Sequence, residues 1–203
     1  LFSTPVIRKH LLQQERIRRV KEIFEGSAFN CYEGPEHPEL LVITSSACTL
    51  YGREAIDLMD LKNRVGLLKL GTTWPIPSEL VTRHLAATGK VLIVEEVLPF
   101  LEDHVKIIAA EAADRIGKRG FYGKNDGTLP MVGELNPDLV AGALGKILAL
   151  PGRGVEAAYK ARLEAPTLAR IPNREQTFCP GCPHRASFWV MHDRGAVDDR
   201  RAG

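Results

Sequence analysis

Four cysteines, Cys31, Cys48, Cys179 and Cys182, are too few and too unevenly spaced for a secreted disulfide scaffold. No apolar run approaches the ~20 residues that a membrane-spanning helix needs. Charge is nearly balanced, with 27 Lys and Arg against 25 Asp and Glu, so neither nucleic acid nor an anionic membrane surface is an expected partner. A glycine-rich phosphate loop is missing too. Gly52, Gly71 and the Gly152–Gly154 pair fit neither the dinucleotide fingerprint nor the Walker pattern. The opening stretch, LFSTPVIRKHLLQQERIRRVKEIFE, is basic but has no continuous apolar centre, and Glu15, Glu22 and Glu25 speak against a transit peptide. These absences together predict a soluble protein in the reducing cytoplasm. The lack of an initiating Met predicts a sequence that starts inside a longer chain.

What is present is the makings of one core and a smaller appendage: 203 residues, 44% of them hydrophobic. Residues 6–25 predict a helix with an imperfect apolar stripe of Val6, Ile7, Leu11, Ile17, Val20 and Phe24. Its basic residues, Arg8, Lys9, Arg16, Arg18, Arg19 and Lys21, are interleaved with glutamates and read best as a solvated face. Three short apolar runs follow at near-equal intervals: LLVIT from Leu40, VGLLKL from Val65 and KVLIVEE from Lys90. Continuous runs of this kind suit strands covered on both faces, as in a parallel sheet. Each is followed by a helical stretch, the second capped by Ser78 and the third burying Leu101, Val105, Ile108, Ala109, Ala112 and Ile116. The spacing leaves room for one crossover helix per strand, which gives βαβαβα. A fourth helix begins at Asn136-Pro137, and the Gly-rich stretch before it predicts a short extra strand. Residues 36–150 are thus expected to form one α/β domain of three layers on a parallel sheet. Residues 1–35 read as a connector carrying the first helix, 151–176 as a proline-punctuated linker, and 177–203 as the start of something further.

Cys179-Pro-Gly-Cys182 offers two thiolates, with Gly181 permitting the tight turn between them. A thioredoxin-like pair would need a preceding strand, and here a linker precedes it. Zinc or an iron–sulfur cluster would each need four donors, and only two sulfurs are local, with His184 close to Cys182. Two unliganded thiols in a turn remain open as a reading, as does a non-catalytic interaction module whose CxxC knuckle binds zinc. Glu95 and Glu96 stand where the third strand ends, a place where α/β sheets often carry active residues. They serve either as a general base or cofactor-activating carboxylate, or as acids that cap the next helix or meet another domain; the second reading is preferred. Cys48 is a potential nucleophile or, more commonly, a small packed residue. His10, His37 and His84 have no ligand-like spacing.

Several stretches together resemble the alpha subunits of indolepyruvate ferredoxin oxidoreductases, within the thiamine diphosphate-dependent 2-oxoacid:ferredoxin oxidoreductase family. They are AFNCYEG, KLGTTWPIP, VLIVEEVLPFLEDHVK, YGKNDGTLP with GELNPDLV, and FCPGCPHRASFW, in matching order from about residue 6 to 191. The resemblance implies that 36–150 is a domain of transketolase C-terminal type and that 177–203 is the truncated start of a thiamine diphosphate-binding domain. It implies oxidative decarboxylation of aryl 2-oxoacids such as indolepyruvate to aryl-acetyl-CoA, with ferredoxin as electron acceptor. Implied cofactors are thiamine diphosphate with a divalent metal ion and [4Fe–4S] clusters, for which Cys179 and Cys182 are the candidate ligands here. Implied partners are a beta subunit, ferredoxin, CoA and the 2-oxoacid. The glutamate that activates the cofactor would belong to a preceding domain rather than to Glu95 or Glu96, and the diphosphate-binding metal ligands to a following one. This piece is therefore expected to be an internal fragment, inactive alone and binding no cofactor by itself.

Overall fold

Three apolar runs become the parallel centre of a five-stranded sheet. The strands are β1 (Cys31–Glu33), β2 (Leu40–Thr44), β3 (Val65–Lys69), β4 (Lys90–Val94) and β5 (Gly120–Tyr122), in the spatial order β1-β3-β2-β4-β5. The computed structural model describes residues 4–150, 181–182 and 184–193 of the chain, which divides into two compact units, Leu1–Val155 and Glu156–Gly203.

Alternation along the strands sends side chains to two separate cores. Leu40, Val42, Leu92 and Val94 pack with α2 (Cys48–Leu58) and α6 (Pro137–Leu148), while Leu41, Ile43, Val91 and Ile93 pack with α3 (Ser78–Ala86) and α4 (Phe100–Glu111). This is the three-layer α/β arrangement expected from the apolar runs. Asn136 caps α6 by accepting from the Leu139 N–H at 3.0 Å, with Pro137 in the first turn.

Three details differ from expectation. The sheet is mixed, because β1, in the AFNCYEG stretch, pairs antiparallel with the edge of β3. A three-residue strand with one half-buried side chain, Tyr32, carries no periodicity to read. That edge is closely fitted: a Cβ on Gly66 would collide with the Tyr32 ring, whose hydroxyl donates to the Pro35 carbonyl. The third helical stretch breaks at Ala112 into α4 and α5 (Ala113–Ile116), although its apolar face runs on through both.

The third difference concerns the start of α3. Ser78 is already helical there and makes no capping bond; Pro77 precedes it as the boundary residue. The capping acceptor is the carboxylate of Glu25, the last residue of α1 (Thr4–Glu25), which accepts from Glu79 N–H at 3.0 Å and Leu80 N–H at 2.7 Å. A carboxylate on two unsatisfied N–H groups at a helix start gains from both hydrogen bonding and the helix dipole. Asn30 completes the anchor: its amide donates to the Phe24 carbonyl, and its oxygen accepts from Gly71 and Thr72 N–H. Replacing Glu25 with Ala should therefore lower stability by about 1–2 kcal/mol. Urea unfolding measures this, and an unchanged midpoint would show that the cap contributes nothing.

Candidate functional site

The chain leaves β2 and β3 in opposite senses. The β2–β3 crossover, α2, covers one face of the sheet and the β3–β4 crossover, α3, covers the other. The carboxyl ends of β2 and β4 therefore flank a topological switch point, where open α/β sheets form their crevices. A depression of about 340 Å³ lies there, lined by Ser45, Ser46, Cys48, Glu95, Glu96 and Val97, with Leu98 and Phe100 at its rim.

The two glutamates that end β4 are already engaged. Glu95 is buried and accepts from Leu101 N–H at 2.6 Å and Glu102 N–H at 2.8 Å, so it caps α4. Burial pushes its carboxyl above the ordinary range, and those two N–H bonds partly offset the shift. Glu96 reaches across to accept from the Leu135 N–H at 3.1 Å, fixing the approach to α6. Capping, the preferred sequence reading, is what the geometry shows for Glu95. Cys48 is 2% exposed inside the α2–α6 core, and burial, with Glu96 and Glu95 nearby, pushes its thiol up to about 11. It is a packed residue, with Thr49 beside it bonded to Thr44 at 3.0 Å.

Sequence reasoning missed the groups that hold this edge together. Glu102 is only 1% exposed, and its carboxylate accepts from Lys106 Nζ at 2.6 Å, Lys124 N–H at 2.8 Å and Asn125 N–H at 3.2 Å. Lys124 is buried as well, donating from Nζ to the carbonyls of Val97 at 3.3 Å and Met131 at 3.4 Å. Asp126 folds the same loop by accepting from the N–H groups of Gly123 and Thr128. Burial opposes the Asp126 charge, yet these bonds hold its carboxyl below the usual range. The one local signal was the pair Glu102–Lys106 at a four-residue spacing, which ordinarily marks a solvated helix face. The network holds Val97 at φ +62°, a left-handed conformation that a β-branched side chain seldom takes.

Of the cysteine motif, Cys179 lies outside the described residues. Cys182 is half-buried after Gly181 at φ +77°, and its sulfur stands 3.4 Å from His184 Nδ1, at the start of the helix His184–Asp193. That is two donors of the four a zinc ion or a [4Fe–4S] cluster requires, so the described residues do not by themselves fit such a group. Among the described residues no three His, Cys, Asp or Glu side chains converge on a metal position, and no helix is long and apolar enough to cross a membrane. His84 stacks on Tyr32 at 4.5 Å, and His10 pairs with Gln14 within α1. Among the described residues the crevice thus combines committed carboxylates with a sequestered thiol.

Two outcomes check this account. Alkylation of the folded chain at pH 8, read by peptide mass spectrometry, should modify exposed Cys31 and leave Cys48 largely unmodified, because burial both shields the Cys48 sulfur and pushes its thiol up to about 11, which leaves little thiolate there. Lys124→Met, which leaves two carbonyls without their donor, should cost about 1–3 kcal/mol in chemical unfolding, whereas Lys118→Met on the surface should cost nothing measurable.

No family model matches the chain. Its sequence is 32% identical over 187 residues to indolepyruvate oxidoreductase subunit IorA of Pyrococcus abyssi, covering 90% of this chain and 27% of that one. It is 31% identical over 193 residues to the IorA subunit of Methanothermobacter thermautotrophicus, covering 93% and 29%. A solved 2-oxoglutarate:ferredoxin oxidoreductase from Magnetococcus marinus superposes with a TM-score of 0.47 at 14% identity, covering 72% of this chain and 24% of that one. The chain spans a little over a quarter of the length of the curated relatives it matches. The resemblance drawn from the motifs holds: along nine tenths of its length, this chain is a relative of the indolepyruvate oxidoreductase IorA subunits.

Proposed function

We infer that this chain is a scaffold segment of an enzyme that oxidatively decarboxylates aryl 2-oxoacids such as indolepyruvate to aryl-acetyl-CoA, with ferredoxin as electron acceptor. The observation that carries this reading is similarity to IorA subunits over nine tenths of the chain. The site chemistry agrees with it. Glu95, Glu96 and Glu102 all accept from main-chain N–H groups, with Glu102 also paired to Lys106, which suits a part that shapes and presents loops.

In this reading residues 36–150, joined by the edge strand from Cys31, are the domain of transketolase C-terminal type. Residues 151–176 are the linker, and 177–203 open the domain that holds thiamine diphosphate through a divalent metal ion. The thiamine would supply the carbanion chemistry and iron–sulfur clusters the electron exit. Cys179 and Cys182 are the candidate cluster ligands of this chain, and further donors would have to come from elsewhere. A beta subunit, ferredoxin, CoA and the 2-oxoacid are the proposed partners, with a cytoplasmic setting and no role for nucleic acid or membrane.

Two measurements test the reading. The purified chain, given indolepyruvate, CoA, thiamine diphosphate, magnesium and a viologen acceptor, should show no turnover; thiamine-dependent reduction would overturn the scaffold assignment. Exchanging residues 40–148 for the matching part of the Pyrococcus abyssi IorA subunit should leave indolepyruvate oxidation by the assembled enzyme within about tenfold of normal. Complete loss of activity in a folded, assembled chimera would count against the shared function.

A further inference from the structure

A second, smaller cavity lies at the other end of α2 from the crevice. The crevice opens beside Cys48, where that helix begins; the second cavity opens beside Ile56 and Asp57, where it ends. Its volume is about 180 Å³, below the ~300 Å³ at which pockets for drug-sized ligands begin. A molecule that fills it is no larger than a free amino acid. The floor is apolar, made by Ile56 of α2 with Val65 and Leu67 of β3, all of them buried. One wall is the bare backbone of Gly34, at φ +134°, in the turn that follows β1. A Cβ there would meet the Val65 carbonyl oxygen and Gly66 Cα at 2.8 Å, so the turn is seated directly on β3 and fixes that wall.

Four charges stand around the mouth, and they balance. Arg53 and Asp57 share one face of α2 at a four-residue spacing. Glu33 comes from the end of β1, and Lys62 from the loop between α2 and β3. All four reach solvent, with side chains 41% exposed for Arg53, 49% for Glu33, 45% for Asp57 and 67% for Lys62. Arg53 grips Glu33 with Nε at 3.0 Å and with Nη2, and this bonding holds the Glu33 carboxyl below the usual range. The other pair is looser. Lys62 Nζ meets Asp57 Oδ1 at 3.0 Å, a single contact between exposed groups. Such a pair adds little to stability, so a ligand can displace it. Lys62 carries three N–H donors and Asp57 two acceptor oxygens, and among the described residues this contact engages one of each.

A balanced mouth disfavours ions of either sign. A lone carboxylate would gain Lys62 but stand beside Asp57 and Glu33, and a lone amine would gain Asp57 but stand beside Lys62 and Arg53. A molecule that carries both charges on one carbon exchanges the Lys62–Asp57 contact for two complementary ones and lays its side chain on the apolar floor. We propose that this cavity binds a free α-amino acid with an apolar side chain, its carboxylate on Lys62 and its ammonium on Asp57.

A chemical-shift titration of the isotope-labelled whole chain with L-leucine tests this. The amide signals of Gly34, Asp57 and Lys62 should move saturably, with a Kd in the millimolar range, because the contact is small and its charges are solvated. Two half-molecules, 4-methylpentanoate without the ammonium and 3-methylbutylamine without the carboxylate, should each bind at least about tenfold more weakly. Lys62→Met and Asp57→Asn should each weaken leucine binding about tenfold and leave the thermal melt unchanged, since both side chains are exposed. Lys118→Met, outside the cavity, should leave binding as it is. No saturable shift with leucine, a half-molecule that binds as well as leucine, or binding indifferent to both cavity substitutions would each overturn the proposal.

Discussion

A buried carboxylate governs the edge of this sheet. Removing Glu102 from water would cost several kcal/mol if its oxygens were left bare. The fold avoids that cost by bringing the main chain after β5 up to the carboxylate, with Lys106 as counter-charge. The path of residues 123–125 follows from where Glu102 sits on α4. Lys124 is then delivered beneath the loops that carry Val97 and Met131 and holds both by their carbonyls. Glu95, in the loop that follows β4, closes the start of α4 itself. A few buried polar groups thus fix three loops that hydrophobic packing alone would leave loosely defined.

This arrangement gives physical content to the motifs that tie the chain to its relatives. The VEEVLPFLE stretch supplies the helix cap, the brace to Leu135 and the buried carboxylate, and YGKNDG supplies the main-chain donors and the lysine. Such stretches resemble catalytic signatures, being rich in acids at the end of a strand. Their oxygens instead face N–H groups of the same domain, so the chemistry they perform is conformational.

Much of the fold was legible because continuous apolar runs and helical stripes report burial directly. Leu40 to Thr44 and Leu101 to Ile116 each behave as their spacing requires. The cap on α6 was equally legible, since Asn136-Pro137 acts within three residues. What escaped was everything arranged across the chain. Glu25 caps a helix that begins more than fifty residues later, and no local pattern marks it. The strand at Cys31 is too short for a period. Glu102 and Lys124 look like surface charges until the sheet edge folds over them, because burial of a charge is a property of the assembled loops. Cys179 lies outside the described residues, and the Cys182 sulfur meets His184 among those described.

Gly123 shows how tightly the two motifs are interlocked. A methyl group there would stand 2.5 Å from Glu102 Oε2, so this glycine answers to a neighbour's bulk. A larger residue at position 123 therefore has to displace the Glu102 carboxylate from its bonds to Lys124 and Asn125, a conflict that a shorter acid such as aspartate at position 102 would ease. The two positions, twenty-one residues apart, are thus coupled through a volume that only one of them can fill.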